Sequence, residues 1–538
     1  MSRRREHLLL LVVALLILPG VFWGLPSAIT PQVDAPVPLG SLLLVAEYGK
    51  GTLNVVYPLF HQILLLPFYG LVGAGFWLTG GVSRIASTWP YGFRDPSRFF
   101  SALILITNLV SAVMGITLLS LLRPLVGLRR AWVWVGLLVI GTNGVFVYYS
   151  RVGNLDLPYT FWWGVSLFFL WRYFFGEGMP GWVLIAAGAA AAAATGSKDQ
   201  ASSFAIGAGI LVLLMSPREP VPFRARFRSA VVFTLALLVS YFVLAILPEP
   251  RHWWSHFRFV TGPHAPTDIP LTVAGEIELL GHFMRELLTA YTAPVLLVAA
   301  LGAVWLFRNG QARMFWLLVF PMVTYYLIVI AKTRVLYPRF MLPFAIPIFV
   351  LVTYGTAMVA DRLGPIGRKA WIGCIALFIA YQLAFSYGPV TYAQVFDLKR
   401  QVAAELPKYV PPGEGLLISR MQSYNFPNRG VYENYRVMML PNDPIVPPSR
   451  HSAGILKPFN PGVTYYLLGS GTAGLPWHVP GPYPELVGEK IAEWRYPAWV
   501  RRHLIEPCLY EFTLYRRTGP LPDTSLPVPQ PPAAPTPG

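Results

Sequence analysis

Two carboxylates, a scattered set of cations and a group of histidines are the residues of this chain placed to do chemistry. Asp34 lies in the stretch Ser27 to Pro36, directly after the first long apolar run, Leu8 to Leu25. Asp156 lies in Arg151-Val152-Gly153-Asn154-Leu155-Asp156-Leu157-Pro158. Each falls where the chain leaves an apolar segment. A carboxylate at such a boundary is partly desolvated, which raises its proton affinity and suits it to take a proton from a hydroxyl. The plainer alternative stays open for Asp156, which precedes Pro158 and could simply cap a helix.

The cations are Lys50, Arg151, Lys198 in Gly196-Ser197-Lys198-Asp199, and Arg334 and Arg339 in the segment Lys332 to Phe340. They interrupt the charge pattern that orients the chain, so each needs an anionic neighbour such as Asp199, or an anionic ligand. A lipid phosphate is the natural anion for several Lys and Arg at a membrane surface. Ordinary snorkelling to headgroups is the alternative. His252 and His256 stand four residues apart, a spacing that could hold a metal. No third ligand has a convincing position, so contact with substrate is expected of them and no metal is expected.

The elements that must position these residues are apolar helices. Of 538 residues, 55% are hydrophobic and only 12% charged. Apolar runs long enough to cross a bilayer recur, which marks a polytopic helical membrane protein. The net charge of +17 is spread over short loops between those runs. It therefore speaks for orientation in a membrane rather than for nucleic acid. The two cysteines, Cys374 and Cys508, cannot build a disulfide framework. Arg3-Arg4-Arg5 before Leu8 could open a signal peptide, with a weak cleavage site at Ser27-Ala28, but the spans that follow favour a retained signal anchor. No phosphate-cradling glycine loop, dinucleotide fingerprint, Gly-x-Ser-x-Gly or Cys-x-x-Cys is present, which leaves an ATPase or a soluble nucleotide-sugar fold without support.

Spans are expected at 8–25, 99–122, 131–149, 158–175, 181–196, 201–216, 229–247, 291–307, 315–331, 341–360 and 370–387, about eleven in all. The run Val55 to Leu78 decides the parity. If it crosses, Arg123, Arg129 and Arg130 lie outside and Asp34 and Asp156 on opposite sides; if it is re-entrant or interfacial, the arginines are inside and both acids outside. The second arrangement obeys the positive-inside rule and is the one expected. Long outer segments then cover 26–98 and 248–290. The expected fold is an all-α membrane domain over 1–390, a small extracytoplasmic α/β domain over 391–518, and a disordered Pro-rich tail over 519–538. Within the second domain, 391–406 reads as an amphipathic helix, and Leu416 to Ser419, Val463 to Leu468 and Leu509 to Tyr515 as strands. The N-terminus is expected in the cytoplasm of a cell (plasma or inner) membrane.

This layout resembles the glycosyltransferase C fold, and within it the family-39-like group that includes dolichyl-phosphate-mannose protein mannosyltransferases and lipid A aminoarabinose transferases. The resemblance covers about residues 1–390 and rests on the order of short motifs. Gln32-Val33-Asp34-Ala35 matches an acidic motif after the first span, with Ala35 where many relatives have Glu. Val56-Tyr57-Pro58-Leu59-Phe60-His61 matches a juxtamembrane motif, Arg151 to Asp156 an acidic second loop, Gly196-Ser197-Lys198 a Thr-Lys-like turn, and Arg339-Phe340-Met341-Leu342-Pro343 an Arg-Tyr-x-x-Pro-like motif.

The resemblance implies an inverting transfer from a polyprenyl-phosphate sugar donor to a hydroxyl acceptor (protein, lipid or glycan) on the outer face, without cofactor or obligatory metal. It implies that Asp34 is the base and that Asp156 orients the acceptor or the partners of Asp34. Lys50, Arg151, Lys198, Arg334 and Arg339 would meet the donor phosphate, and Tyr57, His61, His252 and His256 would contact substrate. A transporter or flippase of a lipid-linked anion is the alternative. It would use the same cations, but the chain lacks the internal repeat and mid-membrane polar residues common in transporters.

Overall fold

A computed structural model describes residues 3–22, 58–79, 98–176, 181–218, 220–261, 269–334, 336, 338–396, 398–419, 436–440, 464–471, 488–503 and 509–518. Asp34, Lys50 and Tyr57 lie outside the described residues.

The first helix, α1 (Arg3–Ile17), tightens at Pro19 into a 3-10 turn, Leu18–Phe22. One stripe of it, Val13, Ile17 and Val21, is fully buried. It therefore belongs to the bundle core. After α2 (Phe60–Leu78), the chain runs antiparallel to α1 along α3 (Arg98–Leu122). Two contacts fix that pairing: Asn108 Nδ2 donates to Val21 O at 3.2 Å, and Arg123 pairs with Glu6 at 3.5 Å. Arg123 thus returns to the end of the bundle where α1 starts, and Val21 and Asn108 meet toward the opposite end. α2 packs along the first half of α3, where Leu65 and Tyr69 meet Leu103, and the Tyr69 and Thr107 hydroxyls are 2.6 Å apart. That places it level with the far end of α1.

The expected span 131–149 is broken. It consists of α4 (Val133–Gly141) and α5 (Gly144–Arg151), bent by 67°. Asn143 causes the break: its Oδ1 accepts from Phe146 N at 3.0 Å, capping α5, while its Nδ2 donates to Ala290 O at 2.6 Å. Next come α6 (Asp156–Phe175), α7 (Trp182–Ser197), α8 (Ser202–Leu214) and α9 (Phe223–Tyr241), the last prolonged by a π turn, Phe242–Ile246. The alanine run of α7 lets its neighbours come close. A Cβ on Gly188 would stand 2.5 Å from Phe233 O of α9.

α10 (Pro250–Thr261) and α11 (Val273–Tyr291) follow. α11 meets α12 (Ala293–Arg308) at a bend of 102°. The bend residue, Thr292, has φ +62°, a conformation that costs a β-branched residue energy and persists only because its surroundings impose it. α13 (Ala312–Tyr325) ends in a π turn, Tyr326–Ile330, and Ala331–Thr333. A 3-10 segment, Pro338–Phe344, leads into α14 (Ala345–Arg362), then come α15 (Pro365–Gln382), a third π turn, Leu383–Tyr387, and α16 (Gly388–Val395). Backbones of α12 and α14 nearly touch at Gly302 and Gly355, where an added Cβ would lie 2.0 Å from Leu351 O and Val298 O respectively.

By length and composition, seven of the described helices can cross a membrane, or up to nine if each bent pair is one span. This is fewer than the eleven runs read from the sequence. Three expected spans drop out: α6, which carries Asp156, Tyr159, Thr160 and Arg172, and α7 and α8, which are shorter than a bilayer is thick, while α2, expected to be re-entrant or interfacial, is itself long and apolar enough to cross.

Beyond α16 the expected single helix 391–406 is divided: α17 (Leu398–Glu405) is a separate element. A five-stranded mixed sheet follows, in the order β2-β1-β3-β5-β4. Its strands are β1 (Gly415–Ser419), β2 (Arg436–Leu440), β3 (Tyr465–Gly471), β4 (Gly488–Arg495) and β5 (Leu509–Arg517). Three of these fall where strands were expected. β2 and β4 were not anticipated, because Arg436 and the charges of β4 hide their alternation. The short helix α18 (Ala498–His503) follows β4. Tyr496 ties the sheet to the helices: its hydroxyl accepts from Leu398 N and donates to Ala393 O, both at 3.1 Å. Trp494 Nε1 adds a bond to Glu405 at 2.8 Å.

Candidate active site

α6 begins at Asp156 because Asn154 turns the chain there, its Oδ1 accepting the backbone N–H of Asp156 at 2.7 Å. The Asp156 carboxylate is thereby released from capping. It meets Lys198, whose Nζ donates to Oδ1 at 2.5 Å. Both side chains are buried, with residues 1% and 3% exposed. Lys198 ends α7 in extended backbone, φ −156° and ψ 124°. Successive side chains of an extended segment point opposite ways, so Lys198 turns toward α6 while Asp199 lines the cavity described below. Among the described residues Lys198 pairs with Asp156, forty-two residues away in sequence, and not with its neighbour Asp199.

Around the pair stand aromatic rings and a second cation. Lys198 Nζ is 5.6 Å from the centroid of the Tyr159 ring and 5.8 Å from that of Phe340. Arg339 Cζ is 5.9 Å from the same Phe340 ring. Such spacings are favourable for a cation over an aromatic face. Phe204 stacks on Tyr159, Trp163 and Tyr325, with centroids 6.5, 5.1 and 4.8 Å apart, and closes the base of the site. Asp156 Oδ2 is buried without a hydrogen-bond partner among the described residues. An ionised carboxylate has acceptor capacity for several donors, and leaving one oxygen unserved in a low-dielectric setting is costly. The arrangement is suited to receive a hydroxyl or ammonium donor at Oδ2 and an anion near Lys198 and Arg339.

Beside the α7–α8 turn opens a cavity of about 610 Å³. Thr195, Asp199, Tyr241, Trp253 and His256 supply its polar edge, and apolar residues of α8 and α9 such as Ile206 and Leu238 its walls. Trp253 Nε1 donates to the Tyr241 hydroxyl at 3.1 Å, holding α10 across the mouth. A cavity with an apolar body and a polar edge accommodates an amphipathic ligand. α2 reaches the same region from its N-terminus. Phe60 packs edge-on against Trp162, with centroids 5.9 Å apart, and sits under Gly196. The following residue, His61, is fully buried, and neither ring nitrogen has a hydrogen-bond partner among the described residues.

The structure brings together Asp156, Lys198 and Arg339, with His256 on the adjacent cavity wall. It gives Arg151 and Arg334 other partners. Arg151 is buried at the end of α5, where its Nη atoms donate to Leu16 O (2.5 Å), Thr391 Oγ1 (2.9 Å) and Gln394 Oε1 (3.0 Å). Its guanidinium also lies 4.7 Å from the Tyr387 ring centroid. These bonds join α1, α5 and α16. Arg334, in left-handed backbone at φ +52°, donates to Pro270 O at 2.7 Å and pairs with Glu276 of α11. The His252 side chain lies outside the described residues. Among the described residues, no group of three His, Cys, Asp or Glu side chains is placed to hold a metal. Sequence reading passed over Tyr159, Phe340 and Tyr325. The first two adjoin chemistry-bearing residues in sequence, one turn after Asp156 and next to Arg339; Tyr325 sits in an apolar run that gives no signal.

No family model matches the chain, and no curated protein matches it. Among solved structures the chain is similar to the following three, each at low identity. ArnT from Cupriavidus metallidurans in the apo state gives a TM-score of 0.49 at 12% identity, covering 96% of this chain and 98% of that one. The oligosaccharyltransferase of Archaeoglobus fulgidus in its apo form gives 0.47 at 11%, covering 96% and 89%. The arabinofuranosyltransferase AftD from Mycobacteria gives 0.47 at 14%, covering 96% of this chain and 40% of that one.

Proposed function

We propose that the chain is an integral membrane inverting glycosyltransferase that moves a sugar from a polyprenyl-phosphate donor to a hydroxyl acceptor on the outer face. The observation that carries this reading is the buried Asp156–Lys198 pair with Arg339 beside it, cations suited to a phosphate. The apolar cavity reached by the neighbouring Asp199 has room for a lipid chain.

In the proposed reaction the acceptor oxygen attacks the anomeric carbon from the face opposite the phosphate. The new C–O bond forms as the bond between the anomeric carbon and the phosphate oxygen breaks, and the electron pair leaves with the phosphate. Asp34 takes the acceptor proton. Lys198 and Arg339 face the charge that develops on the leaving phosphate; such stabilisation is usually a large share of catalysis. A phosphate leaves as a stable anion, so no general acid is needed. Asp156 keeps Lys198 in place and offers Oδ2 to the acceptor or to the loop that carries Asp34. The sheet beyond α16 would lie outside the membrane.

The test is transfer or hydrolysis of a labelled sugar from polyprenyl phosphate by protein reconstituted in lipid, with Asp34→Asn beside the wild type. Loss of a general base lowers the rate by about 10²–10⁴-fold, with donor binding retained. Undiminished transfer in Asp34→Asn would overturn the assignment of the base. Passage of the donor across the bilayer without bond cleavage would favour a flippase.

A further inference from the structure

α11 presents three different faces, and only two of them match the protein and water around it. Gly275, Leu279 and Phe283 are buried against the bundle, with the Phe283 ring 5.1 Å from that of Tyr326 and 5.6 Å from that of Phe344. A second face carries Glu278, Arg285 and Thr289, all exposed, and faces water. Between them runs a third stripe, Val273, Ile277, Leu280, Met284 and Leu288, recurring every three or four residues as one helix face requires. These side chains are 42–79% exposed. Buried apolar, exposed apolar and exposed polar faces in that order are what a helix meets when protein, hydrocarbon and water lie on its three sides.

The bend at Thr292 supplies the orientation. α12 is the second half of a pair long and apolar enough to span, and α11 leaves it at 102°. A helix nearly perpendicular to a bundle helix lies close to the plane of the membrane. At about 1.5 Å per residue, its nineteen residues extend for about 28 Å. The exposed apolar surface also continues onto α12, where Leu297 is exposed one turn after the bend.

We propose that α11 is an in-plane membrane helix, its Val273–Leu288 stripe seated among the acyl chains of the leaflet at the end of the bundle opposite Glu6. The occupant of the stripe is lipid, not protein. Glu276, on the first turn of α11, pairs with Arg334, which ties the start of the helix to the end of the segment that follows α13. The proposal does not rest on the transferase reading and would hold for a flippase equally.

The test uses the full chain with Cys374→Ser and Cys508→Ser, reconstituted in phosphatidylcholine–phosphatidylglycerol vesicles. An environment-sensitive fluorophore is attached at Met284→Cys or Ile277→Cys on the stripe, and at Glu278→Cys on the polar face. Nitroxide-labelled lipid should quench the stripe probes several-fold more than the Glu278 probe, while iodide quenches only the latter. Two stripe positions guard against one variant that does not fold. Iodide quenching at both stripe positions would show the stripe in water and overturn the proposal. Protection of both from lipid nitroxide and iodide alike would show a protein, such as a second copy, on the stripe, and would overturn it too.

Discussion

Breaking the Asp156–Lys198 pair from either side should be far more damaging than removing both charges. At 2.5 Å, with an effective dielectric constant near 20, two unit charges attract by about 6–7 kcal/mol. Desolvation of two buried ions offsets much of that gain. Removal of one partner from a buried pair usually costs about 3–5 kcal/mol, because the survivor is left charged and unpaired. Asp156→Asn and Lys198→Met should each destabilise the protein on that scale. The double variant should regain most of the loss, so the coupling energy should exceed either single loss, at about 5–8 kcal/mol for a residual cost of about 1–2 kcal/mol. The assay is unfolding in mixed micelles titrated with a denaturing detergent, followed by tryptophan fluorescence, for wild type, both singles and the double. Transfer measured on the same samples separates stability from chemistry, since the double variant should remain inactive while refolded. Losses below about 1 kcal/mol in both singles would place the pair in the range of solvent-exposed bridges and refute the claim that it is buried and dry. Additive losses would refute the coupling.

Three further predictions concern packing and buried contacts. Arg151→Met keeps the side-chain stem but leaves Leu16 O, Thr391 and Gln394 without the guanidinium, and should cost about 2–4 kcal/mol of stability; donor affinity of the folded protein should be unchanged, and a specific loss of donor binding would restore Arg151 to the phosphate site. Gly20→Ala acts on the same contact, because its Cβ would lie 2.3 Å from Arg151 Cδ; a cost of about 1–3 kcal/mol is expected in the same unfolding assay. Gly302→Val would drive a side chain into Leu351 O, 2.0 Å from the first added atom. It should separate α12 from α14 and lower folded yield sharply, whereas the open site Gly373→Val should not.

Composition and apolar run length by themselves determined a multi-pass membrane protein. A lipid environment leaves no other place for such runs, while the Glu6–Arg123 and Val21–Asn108 contacts, which set α1 and α3 antiparallel, belong to the tertiary structure. Three of the five strands were legible from short apolar runs between Pro/Gly-rich stretches. Charge type and position singled out Asp156, Lys198 and Arg339 as residues needing partners. The sequence could not say which partner each would find. Lys198 has an adjacent carboxylate in Asp199, yet an extended residue turns the two apart, and the helix packing of α6 on α7 delivers Asp156 instead. Arg151 and Arg334 carry the same charge as Lys198, but tertiary contacts bind one to a helix terminus and the other to Glu276. The breaks at Asn143 and Thr292 were also invisible in apolar run length. Bends are held by bonds between segments distant in sequence, such as Asn143 to Ala290, and hydropathy counts only neighbours along the chain.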